Sequence, residues 1–257
     1  MIRLIQNELY KTFRLKKMYI FIAILIIHAC MTVYFYQSGG EWKSVIVTPN
    51  GQSLPLALIN SMAQFMTIFI PVYVADLITG DIKAGTFKLT LLRPVGRIEW
   101  LNAKIASLFV FILVLVVLSL AAEYAIGTLS FGWGEYTFYV GEKYTGAEGV
   151  WLTLGLTFSM LLPYMACGMI VVLFAVMATN ISTTIGLSIG ILTAAQSLNA
   201  FEKIKPYSVV NHMYYFHEIV LKATWDAVFQ NTAIIAAYIV LFYAASALII
   251  KKKDLIQ

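Results

Sequence analysis

Six stretches of this chain run almost without charge for about the length of a membrane span, at about 18–36, 56–78, 102–127, 150–178, 183–199 and 231–250. A bilayer's hydrocarbon core is roughly 30 Å thick and takes about 20 apolar residues of helix to cross. Inside it every backbone amide and carbonyl must be satisfied within the protein, which leaves helices or closed barrels. The runs are continuous rather than alternating in segments of about ten residues, so a barrel is not expected. Composition agrees: 60% of residues are hydrophobic and 12% charged, against roughly 45–50% apolar in soluble domains. The expected fold is an all-α polytopic membrane protein, a single transmembrane domain of six spans.

The net charge of +5 does not point to nucleic acid, because the basic residues flank the spans. Lys and Arg gather on the cytoplasmic side of membrane proteins. With the N-terminus inside, thirteen of these residues lie inside, from Arg3, Lys11, Arg14, Lys16 and Lys17 through Lys83, Lys88, Arg93, Arg97 and Lys104 to Lys251–Lys253. The five outside are Lys43, Lys143, Lys203, Lys205 and Lys222. Both termini are expected in the cytoplasm. No small-residue cleavage site follows the first span, so a removed signal peptide is not expected.

Residues 1–17 read as an amphipathic helix lying in the headgroup plane. Ile2, Ile5, Leu9 and Phe13 would form its apolar face, with Arg3, Asn7, Lys11 and Arg14 opposite. The outer segments 37–55 and 128–149 are rich in Gly, aromatic and polar residues. Segment 200–230, with Pro206 and an aromatic cluster, suggests short helices dipping partly into the membrane. Cys30 and Cys167 both fall in apolar runs and read as packing thiols. His212 and His217 are five apart, off the usual helical ligand spacing, and no metal site is expected.

The charged stretch Asp76–Arg97 sits between the second and third spans. Thr79-Gly80 would end the second span, and Asp81 would open a short helix favoured by its dipole. Ile82, Phe87, Leu89, Leu91 and Leu92 give that helix apolar grip. Arg93-Pro94 would stop it, because proline disfavours helix in the residue before it. Arg97 and Lys104 would anchor the third span. Two readings fit: an interfacial connecting loop, or a rigid surface helix that passes a push from a soluble partner to the spans.

The stretch resembles the cytoplasmic loop of ABC type 2 transporter permeases, the membrane subunits of ATP-driven exporters. That family shows an acidic residue, Gly-Thr, a leucine-rich stretch, Pro-x-x-Arg and a Lys leading into the next span. Here these are Asp81, Gly85-Thr86, Leu89 to Leu92, Pro94 to Arg97, and Lys104. The family more often has Glu where this chain has Asp81. Size and organisation also resemble membrane subunits of bacitracin- and lantibiotic-type exporters, which connects the chain to antibiotic resistance. The resemblance implies that residues 81–93 form a coupling helix docking on an ATPase. Asp81, Gly85, Thr86, Lys88, Arg93, Pro94 and Arg97 would be its coupling residues.

No G-x-x-x-x-G-K-[ST] loop is present to cradle phosphate. The chain itself is therefore not expected to be an enzyme or to bind a cofactor. ATP and Mg would sit on two copies of a separate ATPase subunit, paired with two permease subunits as a homo- or heterodimer in the cell membrane. A hydrophobic peptide, antibiotic or lipid-like substrate fits the scarcity of charge in the spans.

Asp76, Glu123 and His28 are the ionisable groups within or near the hydrocarbon, where such residues are costly and frequently functional. Each reads either as a paired structural group or as a polar point on a transport path. A different class of function, a self-sufficient ion- or proton-coupled carrier, would rest on these three. Pro71 and Pro163 would kink their spans. Gly186-x-x-x-Gly190 permits close helix approach, within the subunit or between subunits.

Overall fold

The structure, a computed structural model, describes residues 2–14, 16–39, 46–47, 49–87 and 95–252. Helix α1 (Ile2–Arg14) is followed by α2 (Lys16–Ser38) and α3 (Leu54–Lys83). Helix α4 spans Arg97–Phe131 and leads to strands β1 (Tyr136–Tyr139) and β2 (Glu142–Thr145). Then come α5 (Gly146–Ser159), α6 (Leu161–Met177), α7 (Ile181–Ser197), α8 (Val209–Lys222) and α9 (Trp225–Lys252). Among the described residues six helical stretches are long and apolar enough to cross a membrane: α2, α3, α4, α5 with α6, α7 with its extension to Ala200, and α9. This is the architecture of a multi-pass α-helical membrane protein.

Helix α6 occupies the centre and packs against α3, α4, α7, α8 and α9. Its Cys167, Met169, Val171, Val172, Ala175 and Val176 are wholly buried. Lipid tails are as apolar as leucine, so close packing rather than escape from water joins helices here. Gly168 shows how close: a Cβ there would fall 2.8 Å from Leu108 Cδ2 of α4. Helices α7 and α9 bury little and turn large apolar residues outward, among them Leu187, Ile191, Val240 and Leu241.

Several local features depart from the sequence expectations. The fourth span is two helices meeting at Met160. Pro163 has no amide to give the carbonyl of Ser159 and fits the first turn of a new helix instead. The third span is a 35-residue helix, about 52 Å long at 1.5 Å per residue, and so longer than the hydrocarbon it crosses. The segment before α5 is not all loop: β1 and β2 form an antiparallel hairpin, with Tyr139 opposite Glu142. Asn50 Nδ2 donates to Tyr136 O at 2.9 Å, and Phe138 N donates to Ser53 Oγ at 2.8 Å, which ties the hairpin to the start of α3.

The second span does not end at Thr79-Gly80. Its helix continues through one π-helical turn, Ala75–Gly80, to Lys83. Thr79 Oγ1 donates to Ala175 O at 2.9 Å and meets Thr184 Oγ1 at 2.9 Å, which pins the widened turn to α6 and the start of α7. The stop comes at Gly85, whose φ is +73°. That conformation suits a residue without a Cβ.

Candidate functional site

The charged groups nearest the π turn gather into one junction. Helix α1 carries a single acidic residue, Glu8. Glu8 and Thr12 share one face at i, i+4 spacing, and that face is the one turned into the protein. The buried stripe of α1 is therefore polar, whereas Phe13 of the expected apolar face lies exposed. Helical spacing predicts an apolar and a basic face, and the contact with the protein is a third.

Lys104, one to two turns into α4, is 1% exposed. Its Nζ donates to Glu8 Oε2 at 2.6 Å and also to Asp81 Oδ2. Lys11 Nζ stands 3.3 Å from Glu8 Oε1 and 3.8 Å from Asp81 Oδ2. Two carboxylates thus face two ammonium groups, and the cluster is neutral as a unit. Lys104 Nζ also lies 5.4 Å from the centre of the Trp100 ring, a cation–π contact. Trp100 in turn packs edge-on against Phe87 at 4.7 Å.

A second layer of hydroxyls lies beside it. Thr12 Oγ1 meets Tyr73 OH at 2.7 Å and Ser107 Oγ at 3.0 Å, while Tyr73 OH meets Ser107 Oγ at 2.8 Å. Tyr73 stacks flat on Phe111 with ring centres 3.9 Å apart. Lys17 pairs with Asp76 inside the π turn. Arg97 Nη1 donates to Lys251 O at 2.8 Å and to Ile250 O at 3.2 Å. These carbonyls form the C-terminal end of α9, where a cation also suits the helix dipole. Helices α1, α2, α3, α4 and α9 are therefore tied together by charge at one end of the bundle.

The expected coupling residues divide accordingly. Asp81 belongs to the junction, but at the end of α3 rather than at the start of a new helix. Gly85 ends that helix, and Thr86 Oγ1 donates to Asp81 O at 3.0 Å. Arg97 reaches α9 rather than serving only as an anchor. Lys88, Arg93 and Pro94 lie outside the described residues.

The intramembrane candidates do not converge on one another. Asp76 is at the junction end. Glu123 is nineteen residues beyond Lys104 along α4, about 28 Å away. There it accepts from Ser119 Oγ at 2.8 Å, in a crevice it shares with Met62, Met160 and Tyr164. His28 of α2 packs edge-on to Phe65 at 5.0 Å.

Sequence reasoning misses Glu8 and reads Lys104 as a surface anchor. The available signal is that Glu8 is the lone acid in a basic helix and Lys104 a lone cation within an apolar run. Such an arrangement fixes the register of α1 against α3 and α4. Among the described residues no three His, Cys, Asp or Glu side chains gather as metal ligands.

No curated protein matches this chain. A family model matches residues 20–256, which takes in Asp81, Lys104, most of the first candidate span and the whole of the other five, and begins after α1. The chain accordingly belongs to the family described as Protein of unknown function (DUF2705).

Proposed function

We propose that this chain is the membrane subunit of an ATP-driven ABC exporter, with residues 81–93 docking on a separate ATPase. The observation that carries this reading is the placement of Lys104. It joins Asp81, the acidic residue of the segment resembling a coupling loop, to Glu8 of the N-terminal helix. A load applied at 81–93 by ATP binding would reach α1 and α4 through Lys104, the π turn through Asp81, and α9 through Arg97. Nucleotide state and membrane conformation then bias each other. The assembly would hold two copies of the ATPase and two permease subunits, with α1 at the membrane surface and both termini in the cytoplasm. The cargo would be amphiphilic.

Gentle detergent purification of the chain from its own membranes tests this. Co-recovery of an ATPase with a phosphate-binding loop, lost on joint substitution D81N, T86A and R93A, is the expected result. Recovery of the chain alone, with transport that persists without ATP, contradicts it.

A further inference from the structure

We infer that the hairpin end of the molecule carries a binding site for a small primary ammonium borne on an apolar body. A cavity of about 220 Å³ opens there between the first turns of α3, the hairpin tip and α8. Leu56, Phe138 and Val140 form apolar walls, and Asn60, Tyr139 and Glu218 bring polar groups to them.

Among the described residues those polar groups are not consumed by the protein. Glu218 Oε2 takes Lys222 at 3.3 Å, and Oε1 has no partner. The Asn60 amide and the Tyr139 hydroxyl have none either. Ser53, on the same wall, is by contrast spent on Phe138 N. One carboxylate, one carbonyl-bearing amide and one hydroxyl around an apolar hollow present mainly acceptors. A few placed polar groups in an apolar pocket are what orient a small ligand. An ammonium supplies three donors and a positive charge, and charge-assisted hydrogen bonds are the strong ones. Lys222 occupies one oxygen of Glu218 and leaves the other to face a donor in the cavity.

Two further observations mark the place. Val140 has φ +50°, a left-handed conformation that is a true outlier for a β-branched residue. Strain of this kind gathers at ligand clamps, and Val140 lines the cavity. Next to Tyr139, at 6.1 Å between rings, lies His217, fully buried and with neither ring nitrogen partnered. Buried polar groups are ordinarily satisfied, so this corner is under-satisfied as it stands.

The inference is independent of the ATPase reading, because binding here requires no nucleotide. Free amines and the ethanolamine headgroup of a lipid share the recognised chemistry.

The test is calorimetric titration of phenethylamine into the full chain in phosphatidylcholine nanodiscs. Saturable binding is expected, weakened about ten-fold or more by E218Q and by N60L, that is by about 1.4 kcal/mol or more. Unchanged thermal midpoints would show that both variants stay folded. Phenethyl alcohol should bind at least about ten-fold more weakly, for want of the charge. Absence of saturable binding, indifference to E218Q, or equal binding of the alcohol overturns the site. Discs containing phosphatidylethanolamine identify the source. A reduced apparent affinity for the free amine assigns the site to the headgroup, and an unchanged one assigns it to free amines.

Discussion

Lys104 Nζ lies 2.6 Å from Glu8 Oε2 across 96 residues of sequence, and both side chains are sealed from solvent. Desolvating two charges costs several kcal/mol per ion, and their attraction offsets it only with good geometry and further hydrogen bonds. Asp81 and Lys11 supply those further contacts. The pair therefore contributes register more than net stability: it fixes where α1 sits against α4.

Removing one partner should be far worse than removing all of them. K104M leaves Glu8 and Asp81 facing each other, and a stranded buried charge costs about 3–5 kcal/mol. Adding E8Q and D81N to K104M should restore most of that loss. Thermal unfolding midpoints in one detergent check both statements. Equal stability of the single and triple variants would contradict the burial of the pair.

Gly85 is the stop of α3, held at positive φ. A side chain in the left-handed region costs roughly 1–2 kcal/mol, so G85A should be mildly destabilised. It should also remove part of any ATP-linked transport, because it disturbs the direction in which the chain leaves Asp81. Gly39 also has positive φ but lies away from the junction. G39A should cost similar stability and leave transport unchanged. Parallel unfolding and transport measurements separate the two.

Val140 sits in the first central position of a two-residue hairpin turn, Val140-Gly141, both with positive φ. Such turns favour Asn-Gly. V140N should raise stability by about 1 kcal/mol through relief of strain. A lowered unfolding midpoint would place the valine's value in its packing instead.

His217 lies on α8, outside the six candidate spans. Burial pushes its imidazole down to about 4, with Glu218 opposing and Lys222 adding. The unfolded ring titrates near 6.5. Stability is therefore complete above about pH 6.5 and falls as pH drops toward 4, because the unfolded chain takes up a proton that the folded one refuses. The loss over that window should reach about 3 kcal/mol, and H217F should abolish the slope. Unfolding followed from pH 7 to pH 4 reads it, and a wild-type slope unchanged in H217F would exclude His217 as its source.

The spans are legible because length and apolarity alone decide them, and α2, α4 and α9 fall over the runs that mark them in the sequence. Orientation of side chains is less legible. Helical spacing places Leu9 and Phe13 together, yet Glu8 and Thr12 form the stripe that meets the protein, since α1 packs on charges supplied by α3 and α4. Lys104 reads as an anchor because nothing local tells that Glu8 and Asp81 will reach it; that pairing exists only in tertiary structure. The second span continues past Gly80 because Thr79 bonds α6 and α7, a long-range contact that overrides a local breaker. Asp81 is legible as a charged group beside the second span, but neither its place at the helix end nor its pairing with Lys104 is. The hairpin is hidden in the sequence because its strands are four residues each and rely on Asn50 and Ser53 for support.

The most direct test of the account is photocrosslinking from the exposed turn at Ala84. A benzoylphenylalanine placed there, in the full chain within its native membranes, should link to a nucleotide-binding subunit, whereas the same group at Trp133, at the hairpin end, should not. That result would locate ATPase docking beside Asp81 and its buried link to Lys104. Failure of Ala84 to capture any nucleotide-binding protein, under conditions where Ala84 is exposed and the crosslinker is active, would contradict the account.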